Sequence, residues 1–485
     1  MLFLKTSLQS MNRHLQLFST LTLSSMGILP LMAQERMNVL FLMADDMRPE
    51  LGCYGEKAIQ TPNIDKLGAS GIVFQNAYCN IPVSGASRAS LLTGMYPNYP
   101  SRFTNFSARA SKDCPEAIPL SGWFTQHGYY TASIGKVFHH IEDHADSWSE
   151  PPYRTFPKGY DSYWAKYNRW QLWQNPASAR SINPKNGRGP FCEWAEVPDT
   201  AYDDGKLAVR AIDKLKQLKK RGQPFFLACG FWKPHLPFNA PKKYWDLYDR
   251  DKLPMPDNRY RPEGLPRQVQ NSGEIYSYAC TSRPDDFYFQ RMAKHGYYAC
   301  VSYVDAQVGK VVDALDELGL ADNTIVVLLG DHGWHLGEHN FLGKHNLMQH
   351  ATRVPLIVRV PGMDKGKSLS MVEFVDLYPT LCELCGLPEP DKQLDGESFV
   401  PILRNRKAKT KDYVFIQWEG GRNIVNERYS YAEWRNKKGL QGQMLFDHKV
   451  DPKENKNRVD EAKRQSVINE MAQWLQQKIK MVYHP

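Results

Sequence analysis

The stretch Ser84-Gly-Ala-Ser-Arg-Ala-Ser-Leu-Leu-Thr-Gly94 sets a hydroxyl and a guanidinium four residues apart. If a helix begins near Ala86, Ser84 and Arg88 address one point from neighbouring positions. The unpaired N–H groups and partial positive charge of a helix amino end strengthen that point as a seat for sulfate or phosphate. Taken alone, the same pair also reads as an N-capping serine beside a surface arginine. Two further pairs bear on the choice. Asp45-Asp46 and, far downstream, Asp331-His332 each follow an apolar run. Adjacent aspartates repel unless a cation lies between them, which points to a divalent metal site.

The string SGASRASLLTG resembles the signature of the sulfatase family: Cys or Ser, any residue, Pro or Ala, Ser, Arg, then Leu-Thr-Gly. In that family the first residue is oxidised after translation to formylglycine (3-oxoalanine), whose hydrate is the nucleophile. The resemblance therefore implies that Ser84 is the precursor and that a maturase is a partner. Cysteine is the commoner residue there, so this is the serine form.

The resemblance also implies a calcium ion held by Asp45, Asp46, Ser84, Asp331 and His332. Most of the family has Asn where His332 stands, which leaves room for a metal with more taste for nitrogen. Gly135-Lys136-Val-Phe-His139 resembles the family's G-K-x-x-H element, with Lys136 on a sulfate oxygen and His139 beside formylglycine. His235 of Lys-Pro-His235 matches the histidine that faces the leaving oxygen, and Lys344 matches the second sulfate lysine. Arg88 is expected to share in neutralising the sulfuryl oxygens. The order MADDMRP, PVSGASR, GKVFHH, FWKPHLPF and GDHGWHLGEHNFLGKH is most similar to the iduronate 2-sulfatase branch. That implies a sulfated saccharide substrate, a 2-O-sulfated uronic acid of heparin, heparan or chondroitin sulfate. Other regiospecificities, a related phosphoesterase, and a glycan-binding relic with unconverted Ser84 stand as alternatives.

These residues need a frame. Asn38–Ala44, Pro224–Phe231 and Thr324–Gly330 are continuous apolar runs, as strands buried on both faces of a parallel sheet should be. Asp203–Lys220 and His295–Gly319 carry helical spacing. Alternating strands and helices predict an α/β fold, and the family resemblance implies a large mixed, mostly parallel sheet flanked by helices of the alkaline phosphatase type, with functional groups collected at the carboxyl ends of its strands. Residues 34–405 are read as the catalytic domain. Residues 406–485 are read as a smaller subdomain with an antiparallel sheet and a final helix around Ala462–Lys480. VEFVDLYPTLCELCGL reads as helical. Two long stretches, 143–200 and 251–290, are rich in Trp, Tyr, Arg and Pro, including Trp164, Trp170, Trp173 and Trp194, and are expected to shape a pocket. Arg169, Arg180, Arg188 and Arg291 are unranked candidates for meeting a uronate carboxylate.

Composition bounds the setting. The 485 residues are 42% hydrophobic and 23% charged, as in an ordinary globular enzyme. Residues 1–33 have basic residues ahead of an apolar run ending in Leu31-Met32-Ala33, which predicts a cleaved secretory leader and a periplasmic or secreted protein. Its loss removes two basic and no acidic residues and takes the net charge from +9 to +7. That balance suits an anionic substrate, and no long basic block points to nucleic acid. No later stretch is apolar for the length of a membrane span. All nine cysteines follow the leader, and Cys382-Glu-Leu-Cys385 is read as structural.

Overall fold

A computed structural model describes residues 36–155, 172–183 and 185–483. The predicted leader and three residues singled out above, Trp164, Arg169 and Trp170, lie outside them. The central sheet contains β1 (Asn38–Asp45), β2 (Ile72–Tyr78), β3 (Tyr130–Gly135), β4 (Phe225–Pro234), β5 (Thr324–Gly330), β6 (Arg353–Val354), β7 (Leu356–Arg359) and β8 (Gly366–Glu373). Its order is β6-β2-β7-β5-β1-β4-β3, with β8 paired to β2. The segment β5-β1-β4-β3 is parallel throughout. Strand β7 joins it antiparallel to both β5 and β2.

The three apolar runs are β1, β4 and β5, and every residue in them is buried. Parallel strands covered by helices on both faces have no solvent side, so they need no alternation. Four helices matter for the site: α1 (Ser84–Thr93), α2 (Asp203–Arg221), α3 (Phe287–Glu317) and α4 (Gln465–Tyr483). Helix α3 begins eight residues before the apolar spacing suggested, because the Asp286 carboxylate caps the amides of Tyr288 and Phe289 at 2.9 and 3.1 Å. The VEFVDLYPTLCELCGL segment is a correction to the sequence reading. Its start closes β8, a single turn spans Phe374–Asp376, and helix occupies only Leu377–Leu384. Val372 and Glu373 pair with Ala77 and Tyr78, so sheet pairing overrides the helical spacing there.

Residues 413–447 form a four-stranded antiparallel meander covered by α4. It adjoins the main sheet where Asn80 donates to the Phe415 carbonyl at 2.9 Å and the Gln417 amide donates to the Asn80 carbonyl at 2.9 Å. No helix among the described residues is long and apolar enough to cross a membrane.

Candidate active site

Register brings the acid-bearing strand ends together. Ala44 stands opposite Gly330, so Asp45 and Asp331 leave neighbouring strands at the same level. On the other side Gly135 stands opposite Gly230, itself opposite Met43, which places Lys136 one residue short of the Asp45 level. Lys136 N–H donates back to the Gly230 carbonyl at 2.8 Å. A Cβ on Gly230 would lie 2.0 Å from the Lys136 oxygen, so only glycine permits this approach. Asp46 turns the chain in left-handed conformation, φ 66°, a region that Asp tolerates better than most residues. Its carbonyl accepts the Tyr297 hydroxyl at 2.8 Å, and its amide donates to Asp331 Oδ1 at 2.9 Å.

Helix α1 begins at Ser84 itself, with Val83 as its cap, two residues earlier than expected. Ser84 is therefore the first helical residue and not the N-cap. Its Oγ donates to Asp45 Oδ1 at 2.9 Å and lies 3.0 Å from His332 Nε2. Ser87 Oγ, one turn on, donates to the Asp331 carbonyl at 2.6 Å and docks the helix on β5.

Asp45, Asp46, Asp331 and His332 are fully buried, and one ligand atom from each lies within 4.8 Å of all the others. The His332 Nδ1 position faces the Gly333 carbonyl at 3.0 Å, so Nε2 is the nitrogen aimed at the cluster, 3.2 Å from Asp46 Oδ1. Three carboxylates and one imidazole nitrogen form a donor set that fits a divalent cation favouring oxygen. Cationic side chains surround it. Lys136 Nζ bonds Asp45 Oδ2, and Lys344 Nζ bonds Asp46 Oδ1 at 2.7 Å.

Burial opposes charge on Asp45, but Lys136, His235 and Arg88 outweigh it and hold that carboxyl well below the usual range. For Asp46 burial prevails over His235 and Lys344, and its carboxyl is raised. Adjacent carboxylates are thus pushed in opposite directions by their surroundings. Burial lowers Lys136, whereas Asp46 and Glu274 overcome burial and raise Lys344.

Arg88 departs from the sequence expectation. It is wholly buried, with Nε donating to Asp331 Oδ2 at 2.8 Å and Nη1 to the Lys136 and Val137 carbonyls. Its donors face inward, so it fixes Asp331 and the Lys136 backbone rather than lining the cavity. Lys136 also sits deep, 5.4 Å from the Trp232 ring centre and 2% exposed.

The cavity of about 250 Å³ above this centre is lined by Ser84, His139, His235 and Lys344 among others, including Phe106, Arg188, Glu274 and His345. Glu274 is absent from the sequence reading. Its Oε1 is 3.1 Å from His235 Nε2 and its Oε2 2.9 Å from Lys344 Nζ. Burial would raise its carboxyl, but Lys344 and His235 hold it well below the usual range. No motif surrounds Glu274 in the sequence; its aromatic-rich segment was the only signal. The His345 ring stacks 5.3 Å from Trp418, which ties the C-terminal meander to the cavity. Cys382 and Cys385 lie away from this lining, and burial pushes both thiols up to about 12.

A mixed sheet sandwiched by helices, with buried acids at its strand ends and a serine hydroxyl at a helix start beside them, defines the class: an alkaline phosphatase-like fold. Residues 37–387 match the family description Sulfatase, and residues 337–481 match N-sulphoglucosamine sulphohydrolase, C-terminal. The chain is 34% identical over 403 residues to iduronate 2-sulfatase of Mus musculus, covering 74% of this chain and 70% of that one. It is 28% identical over 480 residues to the delta 4,5-hexuronate-2-O-sulfatase of Bacteroides thetaiotaomicron, covering 90% and 88%. A solved 2-O GAG sulfatase shares the fold with a TM-score of 0.67 at 23% identity, covering 93% of each chain. The chain belongs to the sulfatase family and is a sulfuric ester hydrolase.

Proposed function

We propose that this sulfatase is exported and removes the 2-O-sulfate from a uronic acid, saturated or 4,5-unsaturated, in a heparin, heparan or chondroitin/dermatan sulfate fragment. The observation that carries the reading is the junction of Ser84, His139, His235 and Lys344 in one cavity over a buried carboxylate cluster. The similarity to iduronate and hexuronate 2-O-sulfatases supports the choice of sugar. The leader-like residues 1–33 support export.

Two groups complete the chemistry. Formylglycine made from Ser84 by a maturase supplies, once hydrated, one hydroxyl for attack on sulfur and a second through which sulfate is released. Calcium held by Asp45, Asp46, Asp331 and His332, with position 84, supplies Lewis acidity toward sulfate oxygens. The remaining work falls to side chains. Lys344 and Lys136 set positive charge where the sulfuryl group gains negative charge. Arg88 holds Asp331 and the Lys136 backbone in place. His235 has Nδ1 at 2.7 Å from the Leu236 carbonyl and Nε2 beside Glu274, so both nitrogens face acceptors and the ring is placed to give a proton to the departing sugar oxygen. His139, a neutral base, takes a proton from the hydroxyl at position 84.

The test is co-expression with a serine-type maturase, mass spectrometry of the Ser84 peptide, and a panel of defined sulfated disaccharides. The expected result is the aldehyde at position 84 and sulfate release from 2-O-sulfated unsaturated uronate. Release from 6-O-sulfated glucosamine alone would refute the regiospecificity. An aldehyde-free, inactive protein that still binds sulfated sugar would refute catalysis.

A further inference from the structure

One guanidinium in the cavity has no part in the chemistry above. Arg188 shares the lining with Ser84, His139, His235 and Lys344. It donates to Ser277 Oγ, and its guanidinium carbon lies 4.9 Å from the Tyr278 ring centre. Its loop is pinned to that same segment: the Ala279 amide donates to the Gly189 carbonyl at 2.9 Å, and Pro190 bridges Ala279. Trp173 packs beneath, its indole N–H on the Pro190 carbonyl at 3.1 Å. The side chain is therefore held rather than free to sweep solvent.

Its charge differs from those of its neighbours. Lys344 is paired with Asp46 and Glu274, His235 with Glu274, Lys136 with Asp45, and Arg88 with Asp331. Arg188 has no carboxylate partner among the described residues. A half-buried, oriented cation without a counter-ion leaves its charge available to a ligand that supplies the anion. The planar fork of a guanidinium matches a carboxylate. Two other loop arginines are less suited: Arg291 is paired with Asp251 at 3.0 Å, and neither it nor Arg180 lines the cavity.

We propose that Arg188, held by Ser277 and Tyr278, is a carboxylate subsite that reads the uronate carboxyl group while Ser84 and its neighbours engage the 2-O-sulfate. The inference rests on the uronate reading and deepens it. In a uronic acid ring the sulfate-bearing C2 and the carboxyl-bearing C5 stand across from one another, so the two anions of one sugar reach different walls of one cavity. A second sulfate on the adjoining sugar would present similar chemistry, and the substrates below separate the two.

The matured enzyme and its Arg188→Ala and Arg188→Lys variants are assayed on three disaccharides: one bearing only the uronate 2-O-sulfate, its carboxyl-reduced counterpart, and one with an added sulfate on the neighbouring sugar. On the first, Arg188→Ala should lower kcat/KM by about 10- to 100-fold, with partial recovery in Arg188→Lys. Carboxyl reduction should cost wild type a similar factor and leave Arg188→Ala nearly unaffected, the signature of one shared interaction. Equal losses on the acid and its reduced counterpart would assign Arg188 a structural role and overturn the proposal. A loss confined to the benefit of the added sulfate would overturn it in favour of a sulfate reader. If wild type itself releases nothing from the first substrate but acts on 6-O-sulfated glucosamine, the uronate reading has failed and the subsite falls with it.

Discussion

His139 shows how a common residue becomes a specific tool. Burial first, then the neighbouring Lys136 ammonium and His140 imidazole, hold its pKa well below the ordinary imidazole value. The ring is therefore neutral where free histidine would already be protonated, and a neutral ring can accept a proton. The acid limb of the kcat/KM profile should accordingly lie clearly below pH 6.5, since the active, unprotonated form is lost only as pH falls through the lowered value. His139→Gln should reduce kcat/KM by roughly 10²- to 10⁴-fold. A wild-type limb centred at 6.5 would contradict the neutral-base role. Arg88 makes the complementary point. Its spacing from Ser84 is legible in the sequence, but its direction is not: a wholly buried guanidinium is drawn to the carboxylate and carbonyls packed around it, and only packing puts them there.

At the level of elements, the site depends on strands ending in step. Asp45 and Asp331 share a level because Ala44 pairs with Gly330, and Lys136 follows one residue short of it because Gly135 and Met43 both pair with Gly230. Gly230 is the tightest part of that arrangement. Gly230→Ala should drive its methyl into the Lys136 backbone, cost about 1–3 kcal/mol by overpacking, and displace Lys136. Thermal denaturation and sulfate release should fall together; an unchanged melting temperature with full activity would show that the contact is not needed. The buried strands were legible because a short, unbroken apolar run bounded by polar residues must hide both faces, which is what a covered parallel strand does. The start of α3 and the split of VEFVDLYPTLCELCGL were not. One depends on a cap outside the apolar spacing, the other on strand pairing across the sheet.

Across the whole molecule, three buried carboxylates meet three buried cations around one point. A bound dication stabilises such an assembly by mass action and relieves repulsion among the acids. Chelation should lower the melting temperature by about 5 °C, and calcium, matched to the predominance of oxygen donors, should restore it. A midpoint indifferent to chelator and calcium would argue against a cation at this cluster. The long insertions complete the cavity from a distance in sequence, and the C-terminal meander braces one of its lining residues. Glu274 and Arg188 come from the insertions, and Trp418 of the meander stacks on His345.

The sequence by itself determined the family, the serine that stands beside the acid cluster, the four residues of that cluster and the order of the accompanying lysines and histidines. Those are matters of residue type and local spacing, and an extended apolar strand ending in an acid is recognisable without its neighbours. Only the tertiary structure decided that Arg88 faces inward, that Glu274 bridges His235 to Lys344, and that Arg188 reaches the cavity where Arg180 and Arg291 do not. Each of those depends on charges and packing contributed by segments remote in the chain, and electrostatic partnership is a property of distance in space rather than of order in sequence.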